Sequence, residues 1–219
     1  MIDIIVLNRN LRLHDNAALF YGSLRSNYIV IYLYDEKYWE GNGKSSRQLK
    51  FATDCLNELD QDLKKINSEI NIFEGSFEML KIWIKENFSD CRIHMNHCTD
   101  IGYFRTGFEN FKNYFGKKLR VYDDFGLQLN KFDRDSWSKN WNQIMHADLL
   151  GTPKRGNTNN EINLNKFNYF KDKVSKNFKG LENIQKGGTS IASQLLDTFL
   201  TDRCCLLYTS PSPRDLWIS

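Results

Sequence analysis

The residues best placed to do chemistry lie in Asn8-Arg9-Asn10-Leu11-Arg12-Leu13-His14-Asp15-Asn16, where the apolar run Ile2–Leu7 ends and a helical pattern begins. Two guanidinium groups three positions apart can hold a phosphate or a carboxylate. In an open α/β sheet, ligands gather at the carboxyl ends of the strands, which is where such a turn sits. It contains no glycine, so a Gly-x-Gly-x-x-Gly dinucleotide loop is excluded. Asp15 and Asn16 have a structural use, because either can accept from the first free amides of the following helix.

Three further groups contain residue types that could do chemistry. His94, His97 and Cys98 are close in sequence, but no fourth ligand stands at a recognisable spacing, and no metal site is assigned. Asp123-Asp124-Phe125-Gly126-Leu127 places two acids together without other oxygen ligands in register, so loop and cap chemistry is sufficient. Neither a kinase His-Arg-Asp loop nor a Gly-x-Ser-x-Gly, His-Glu-x-x-His or P-loop pattern occurs, which removes the anchors for kinase, hydrolase, zincin and triphosphatase readings. Cys55, Cys91, Cys98, Cys204 and Cys205 form no CxxC pair and are too sparse for a disulfide framework. Reduced thiols are expected, with Cys55 and Cys91 in core packing.

The elements that position the turn follow from periodicity. Ile2–Leu7 and Tyr28–Tyr34 are nearly continuous apolar runs, as in strands covered on both faces, and Ile70–Phe73, Arg92–Met95 and Leu119–Tyr122 are shorter candidates. Between the second and third, Leu49, Ala52, Leu56, Leu59, Leu63 and Ile66 recur at helical spacing behind a Ser45-x-x-Gln48 capping box. Phe77, Leu80, Ile84 and Phe88 form one helical stripe, and Phe104, Phe108, Phe111 and Phe115 another; both read as core. Alternation of this kind predicts a Rossmann-like, doubly wound α/β fold with a five-stranded parallel sheet. Asp133–Met145 adds a helix with Trp137, Trp141, Ile144 and Met145 on one face, and Ile191, Leu195, Leu196, Phe199 and Leu200 mark the start of another.

The chain has 219 residues, 41% of them hydrophobic, enough for one ordinary core and a trailing segment. Its formal charge is +3, yet residues 151–186 hold eight Lys or Arg against Glu161, Asp172 and Glu182. Being rich in Asn as well, that segment reads as a solvated linker, and protease sensitivity is expected from 151 onward. No apolar run reaches the roughly 20 residues of a membrane helix. Met1-Ile2-Asp3 offers no leader, so a soluble cytoplasmic protein is expected. From Cys204 the helical spacing ends and Pro211 and Pro213 appear, which reads as a foreign tail.

The stretch Val6 to Asn16 resembles the opening of the photolyase and cryptochrome family, where the first strand runs into Arg-x-Asp-Leu-Arg-x-x-Asp-Asn and then a helix. The resemblance covers roughly residues 1–150, includes the family's Asp-Asp-x-x-Leu at Asp123 to Leu127, and resumes at Gly187-Gly188. It departs at Asn10, where the family has Asp, so a charge-assisted bond from Arg9 or Arg12 to that position is not carried over. The resemblance implies an α/β domain at 1–146, a basic Asn/Lys-rich interdomain linker at 147–186, the start of the FAD-binding helical domain at 187–203 and the foreign tail at 204–219. It further implies a full-length deoxyribodipyrimidine photolyase or cryptochrome, with light-driven, flavin-dependent repair of pyrimidine dimers or blue-light sensing. FAD and damaged DNA then belong to the helical domain, and neither FAD nor a catalytic residue is expected in this chain by itself.

The family's α/β domain often houses an antenna pigment, a reduced folate or a deazaflavin. Relatives hold folate through an Asn-Glu pair where this chain has Gly102-Tyr103, so folate binding in that mode is not expected. Asn96, Asp100, Tyr103 and Glu109 are the antenna-region candidates, and Arg9, Arg12, Asp15 and Asn16 the structural motif. A stand-alone α/β module binding a pigment, nucleotide or protein partner remains the alternative.

Overall fold

The computed structural model describes residues 1–41, 44–123, 133–157, 162–182 and 184–203. The acidic run from Asp124 to Leu127, and the tail 204–219 with Cys204 and Cys205, lie outside the described residues. Strands β1 (Ile2–Leu7), β2 (Tyr28–Tyr34), β3 (Ile70–Glu74), β4 (Cys91–Asn96) and β5 (Leu119–Tyr122) pair in parallel, and β6 (Asn165–Lys166) closes one edge antiparallel to β3. The order is β5-β4-β1-β2-β3-β6. Strand order therefore reverses between β1 and β4, which makes the crevice above those two strands the natural ligand site.

Helices cover both faces. On one side, α4 (Phe77–Asn87) and α5 (Gly102–Phe115) bury the two phenylalanine stripes against Ile4, Val6, Ile31 and Ile93. On the other, α1 (Ala17–Gly22) and α3 (Ser46–Lys65) cover Ile5, Leu7, Val30 and Ile72 with Leu19, Leu56, Leu59 and Leu63. The α3 start carries the expected reciprocal cap: Gln48 N donates to Ser45 Oγ at 3.3 Å and Ser45 N to Gln48 Oε1 at 2.9 Å. Helix α1 lies so close to the sheet that a Cβ at Gly22 would stand 2.6 Å from Ile5 Cγ1. Short α2 (Glu36–Glu40) follows β2.

The reading of 151–186 as a solvated linker is corrected. Phe167, Phe170 and Val174 of α7 (Phe167–Ser175) are buried in the second core, with Phe170 edge-on to Tyr34 at 4.9 Å. The chain ahead of α7 is tied to the domain by backbone donors: Gly156 N to Ile66 O at 2.8 Å and Asn157 N to Ser26 O at 2.9 Å. Lysine and asparagine dominate the composition because they occupy the outer face of a helix whose inner face is apolar. The sixth strand is the physical consequence, since a chain crossing the β3 edge can satisfy backbone groups there and shield it from outside pairing.

Helix α6 (Arg134–Met145) forms where the periodicity placed it, with Trp137, Trp141, Ile144 and Met145 all exposed and the two indoles stacked at 5.6 Å. Helix α8 (Thr189–Thr198) also forms, and Leu195, Leu196 and Leu200 in and beyond it are exposed. Among the described residues, no helix is long and apolar enough to cross a membrane.

Leu56 is 1% exposed, so Leu56→Ala should lower unfolding free energy by about 2–5 kcal/mol. Phe170→Ala should cost about 3–5 kcal/mol. Chemical denaturation monitored by circular dichroism checks both, and an unchanged midpoint for Phe170→Ala would return α7 to the status of a linker.

Candidate functional site

The turn after β1 is held by its own polar side chains. Asn16 caps α1, accepting from Leu19 N at 3.2 Å, and donates to Asn10 O at 2.8 Å. Arg12 donates to Asn10 Oδ1 and, at 2.7 Å, to Asp15 O; it also pairs with Asp15 Oδ2 at 3.2 Å. The amide at position 10 thus still serves as an acceptor for Arg12, as a neutral group rather than a charge partner. Asp15 adopts φ 51° and exchanges bonds with Leu150, donating its N–H to Leu150 O at 3.0 Å and accepting from Leu150 N at 3.3 Å. A segment far along the chain is thereby pinned on the turn.

Arg9 points elsewhere, across the crevice to the loop after β4. Its Nη2 meets Asp100 Oδ1 at 2.5 Å, and Tyr38 Oη donates to the same oxygen at 2.8 Å. Lys44 Nζ stands 3.9 Å from Asp100 and 4.7 Å above the Tyr38 ring. Asp100 is 6% exposed, so its charge is compensated inside the protein rather than by water. Beside it, Asp35 caps α2, accepting from Tyr38 N at 3.2 Å, and takes the Tyr103 phenol at 3.0 Å. Partial burial first, and then the bond to Asp35, hold the Tyr103 proton above its ordinary pKa.

Of these residues, Arg9, Tyr38 and Lys44 line a cavity of about 500 Å³ at the carboxyl ends of β1 and β2. That is within the range of small-molecule and cofactor pockets. Its walls are mainly apolar: Tyr38 and Trp39 from α2, Phe51, Ala52 and Cys55 from α3, Phe104 from α5. Arg9, Arg12 and Lys44 add cationic groups. The remaining wall is the start of α8, whose Ser190 N and Oγ donate to Glu58 Oε1 and Oε2 at 2.9 and 2.7 Å. Gly187 permits that approach, because a Cβ there would stand 2.3 Å from Phe51 O. Burial pushes the Cys55 thiol pKa up, which keeps it protonated at neutral pH.

The four antenna-region candidates do not converge. Asp100 and Tyr103 stand at the crevice. Asn96 is buried beneath it, donating to Asn16 Oδ1 at 2.9 Å and accepting from Ala18 N at 3.3 Å. Glu109 lies along α5, paired with Arg105 at 3.3 Å and Lys112 at 3.9 Å. His94, His97 and Cys98 also part company. His94 turns to Asp3 and Tyr122, His97 Nδ1 contacts Cys98 O at 3.1 Å, and Cys98 Sγ lies 4.0 Å from Asp100. Sequence reasoning missed Tyr38, Trp39, Lys44 and Phe51. The signal available was their position just beyond β2, on the same sheet edge as Arg9.

The family model for DNA photolyase matches residues 4–98. No curated protein matches the chain by sequence. Among solved structures, the fold is similar to an archaeal photolyase from Sulfolobus tokodaii, described with two FAD molecules that imply a novel light-harvesting cofactor (TM-score 0.66, 20% identity, 90% of this chain and 46% of that one). It is also similar to a class III photolyase from Agrobacterium tumefaciens (0.63, 17%, 91% and 45%) and to a Synechocystis cryptochrome (0.67, 14%, 90% and 46%). The chain therefore spans a little under half the length of these structures.

Two measurements follow from the geometry. Asp100→Asn should destabilise the domain by roughly 1.5–3 kcal/mol, the range for hydrogen bonds to charged groups. Glu109→Gln, on partly exposed α5 pairs, should change it by less than about 0.5 kcal/mol. Burial lowers the His94 pKa below its ordinary 6.5, so below that value the unfolded chain binds more protons than the folded one. Stability should then fall as pH drops from neutral into the acid range, and His94→Gln should flatten that part of the melting-temperature profile.

Proposed function

Starting from a chain whose residues 4–98 match the DNA photolyase family and whose α/β fold is that of the N-terminal domains of photolyases and cryptochromes, we propose that this domain is the light-harvesting module of such a protein. The full-length protein would carry out light-driven, flavin-dependent repair of pyrimidine dimers or blue-light sensing. Its redox FAD and the damaged DNA would be bound by a helical domain beginning at 187–203. Residues 1–178 are read as one α/β unit, because β6 and α7 pack into it.

The observation that carries this reading is the cavity of about 500 Å³ at the strand edge. Aromatic walls suit a flat conjugated ring, through stacking and loss of apolar surface from water. Trp39, Phe51 and Phe104 would flank such a ring, and Ala52 leaves it room. Arg9 and Lys44 would face its polar edge or a phosphorylated tail, with Asp100 keeping Arg9 in place. A flavin or deazaflavin meets these requirements better than a folate, for which Gly102-Tyr103 lacks the carboxylate. When bound, the pigment would supply absorption of light and transfer of excitation energy; the chain's residues hold it still and exclude water.

Titration with riboflavin, flavin mononucleotide and methenyl folate tests the assignment through pigment fluorescence. Saturable quenching by a flavin, weak or absent for folate, is expected, and Ala52→Trp should abolish it by filling the cavity. Failure of flavins to bind, or equal binding in Ala52→Trp, would contradict it. An open reading frame continuing past residue 203 into a helical domain tests the domain assignment separately.

A further inference from the structure

A second constellation lies away from the cavity, on the sheet face beneath α1. Asp3 on β1 is 1% exposed and His94 on β4 is 4% exposed. Asp3 Oδ1 lies 3.0 Å from His94 Nε2 and accepts from Arg92 Nε at 3.1 Å. A carboxylate oxygen can only accept from this ring, so the imidazole carries its proton on Nε2. Nδ1 is then the acceptor for the phenol of Tyr122, 2.8 Å away on β5. The result is an unbroken phenol, imidazole, carboxylate chain across β5, β4 and β1.

The rings are also stacked. Tyr122 lies nearly parallel to His94, with centroids 5.9 Å apart and planes 11° apart. Its other neighbour is Tyr21 of α1, at 5.1 Å and 14°. Tyr21 is 41% exposed, so an aromatic contact links the protein surface to the hydrogen-bonded phenol.

We infer that Tyr122 is a redox-active tyrosine whose oxidation is coupled to proton transfer to His94, with a photoexcited aromatic chromophore of the flavin class, or its one-electron oxidised equivalent, as electron acceptor. In the forward step the phenolic O–H bond breaks. The proton moves to His94 Nδ1, giving an imidazolium whose Nε2–H stays bonded to Asp3, and one electron passes to the acceptor, reducing it by one. The product is a neutral tyrosyl radical, and return of the electron and proton restores the starting pair. Oxidising a phenol without a proton acceptor would leave a cationic radical in a low-dielectric site, a cost that the adjacent imidazole removes. Asp3 orients the ring and compensates the imidazolium, as the carboxylate does in a Ser-His-Asp triad. The choice of acceptor rests on the proposed function, whereas the phenol, imidazole and carboxylate are in place without a pigment in the cavity.

The test uses the full chain and an external photo-oxidant, a ruthenium tris(bipyridine) complex flashed with persulfate. Electron paramagnetic resonance and transient absorption read the radical. A neutral tyrosyl signal is expected that disappears in Tyr122→Phe, although the chain holds ten tyrosines. In His94→Gln, which cannot take the proton, formation should slow by roughly 10²-fold. Should that variant fail to fold, the native chain suffices. Its rate should fall in acid as His94 protonates among Asp3, Arg92, Arg120 and Tyr122, and should be slower in heavy water. A signal that persists in Tyr122→Phe, an unchanged rate in His94→Gln, or a native rate independent of pH and of isotope would overturn the inference.

Discussion

The structure turns on one ion pair, Arg9 to Asp100, drawn across the point where strand order reverses. The loops leaving β1 and β4 emerge side by side there and, in a parallel sheet, share no ladder bonds beyond the strands. A carboxylate 6% exposed, receiving a guanidinium and the Tyr38 phenol on one oxygen, supplies the missing connection. Removing Arg9 would leave the buried carboxylate with only the Tyr38 phenol and Lys44 at 3.9 Å to compensate it, so the pair ties the two loops together. The Asn16–Asn96 bond below repeats the connection with neutral groups. Of these four residues, Arg9 lines the cavity.

The other walls depend on chain that lies far along the sequence. Leu150 pins the turn through Asp15, α7 buries three side chains in the second core, and α8 docks its first turn on Glu58 of α3. The cavity is therefore a tertiary product: the turn after β1, α2 and α3 supply most of its lining, and Gly188, Thr189 and Ala192 close it. Exposed Leu195, Leu196 and Leu200 show that α8 is anchored at its start and open along its apolar side.

The parallel strands, the α3 capping box and the phenylalanine stripes were legible because each is a local pattern, with apolar residues repeating at the period of the element they build. The 165–178 region was misread because lysine and asparagine outnumber Phe167, Phe170 and Val174, whose spacing of three and four was nonetheless present. Asp100 and Arg9 were each named, but not as partners, since ninety-one residues separate them and no period connects them. The His94 triad was hidden for the same reason: Asp3, His94 and Tyr122 meet only through strand order. Side-chain chemistry at one sheet edge is visible in sequence as residue types, and its pairing is decided by topology.

Hydrogen exchange on the chain with and without a flavin tests the central proposal, that the cavity beside the pinned crevice holds a pigment. Added flavin mononucleotide should slow exchange at the backbone amides of residues 8–12, 48–55 and 188–192, three segments that meet only at this cavity. Unchanged exchange in those segments, or protection confined to the opposite strand ends around Tyr28, Asn67 and Asn157, would contradict it.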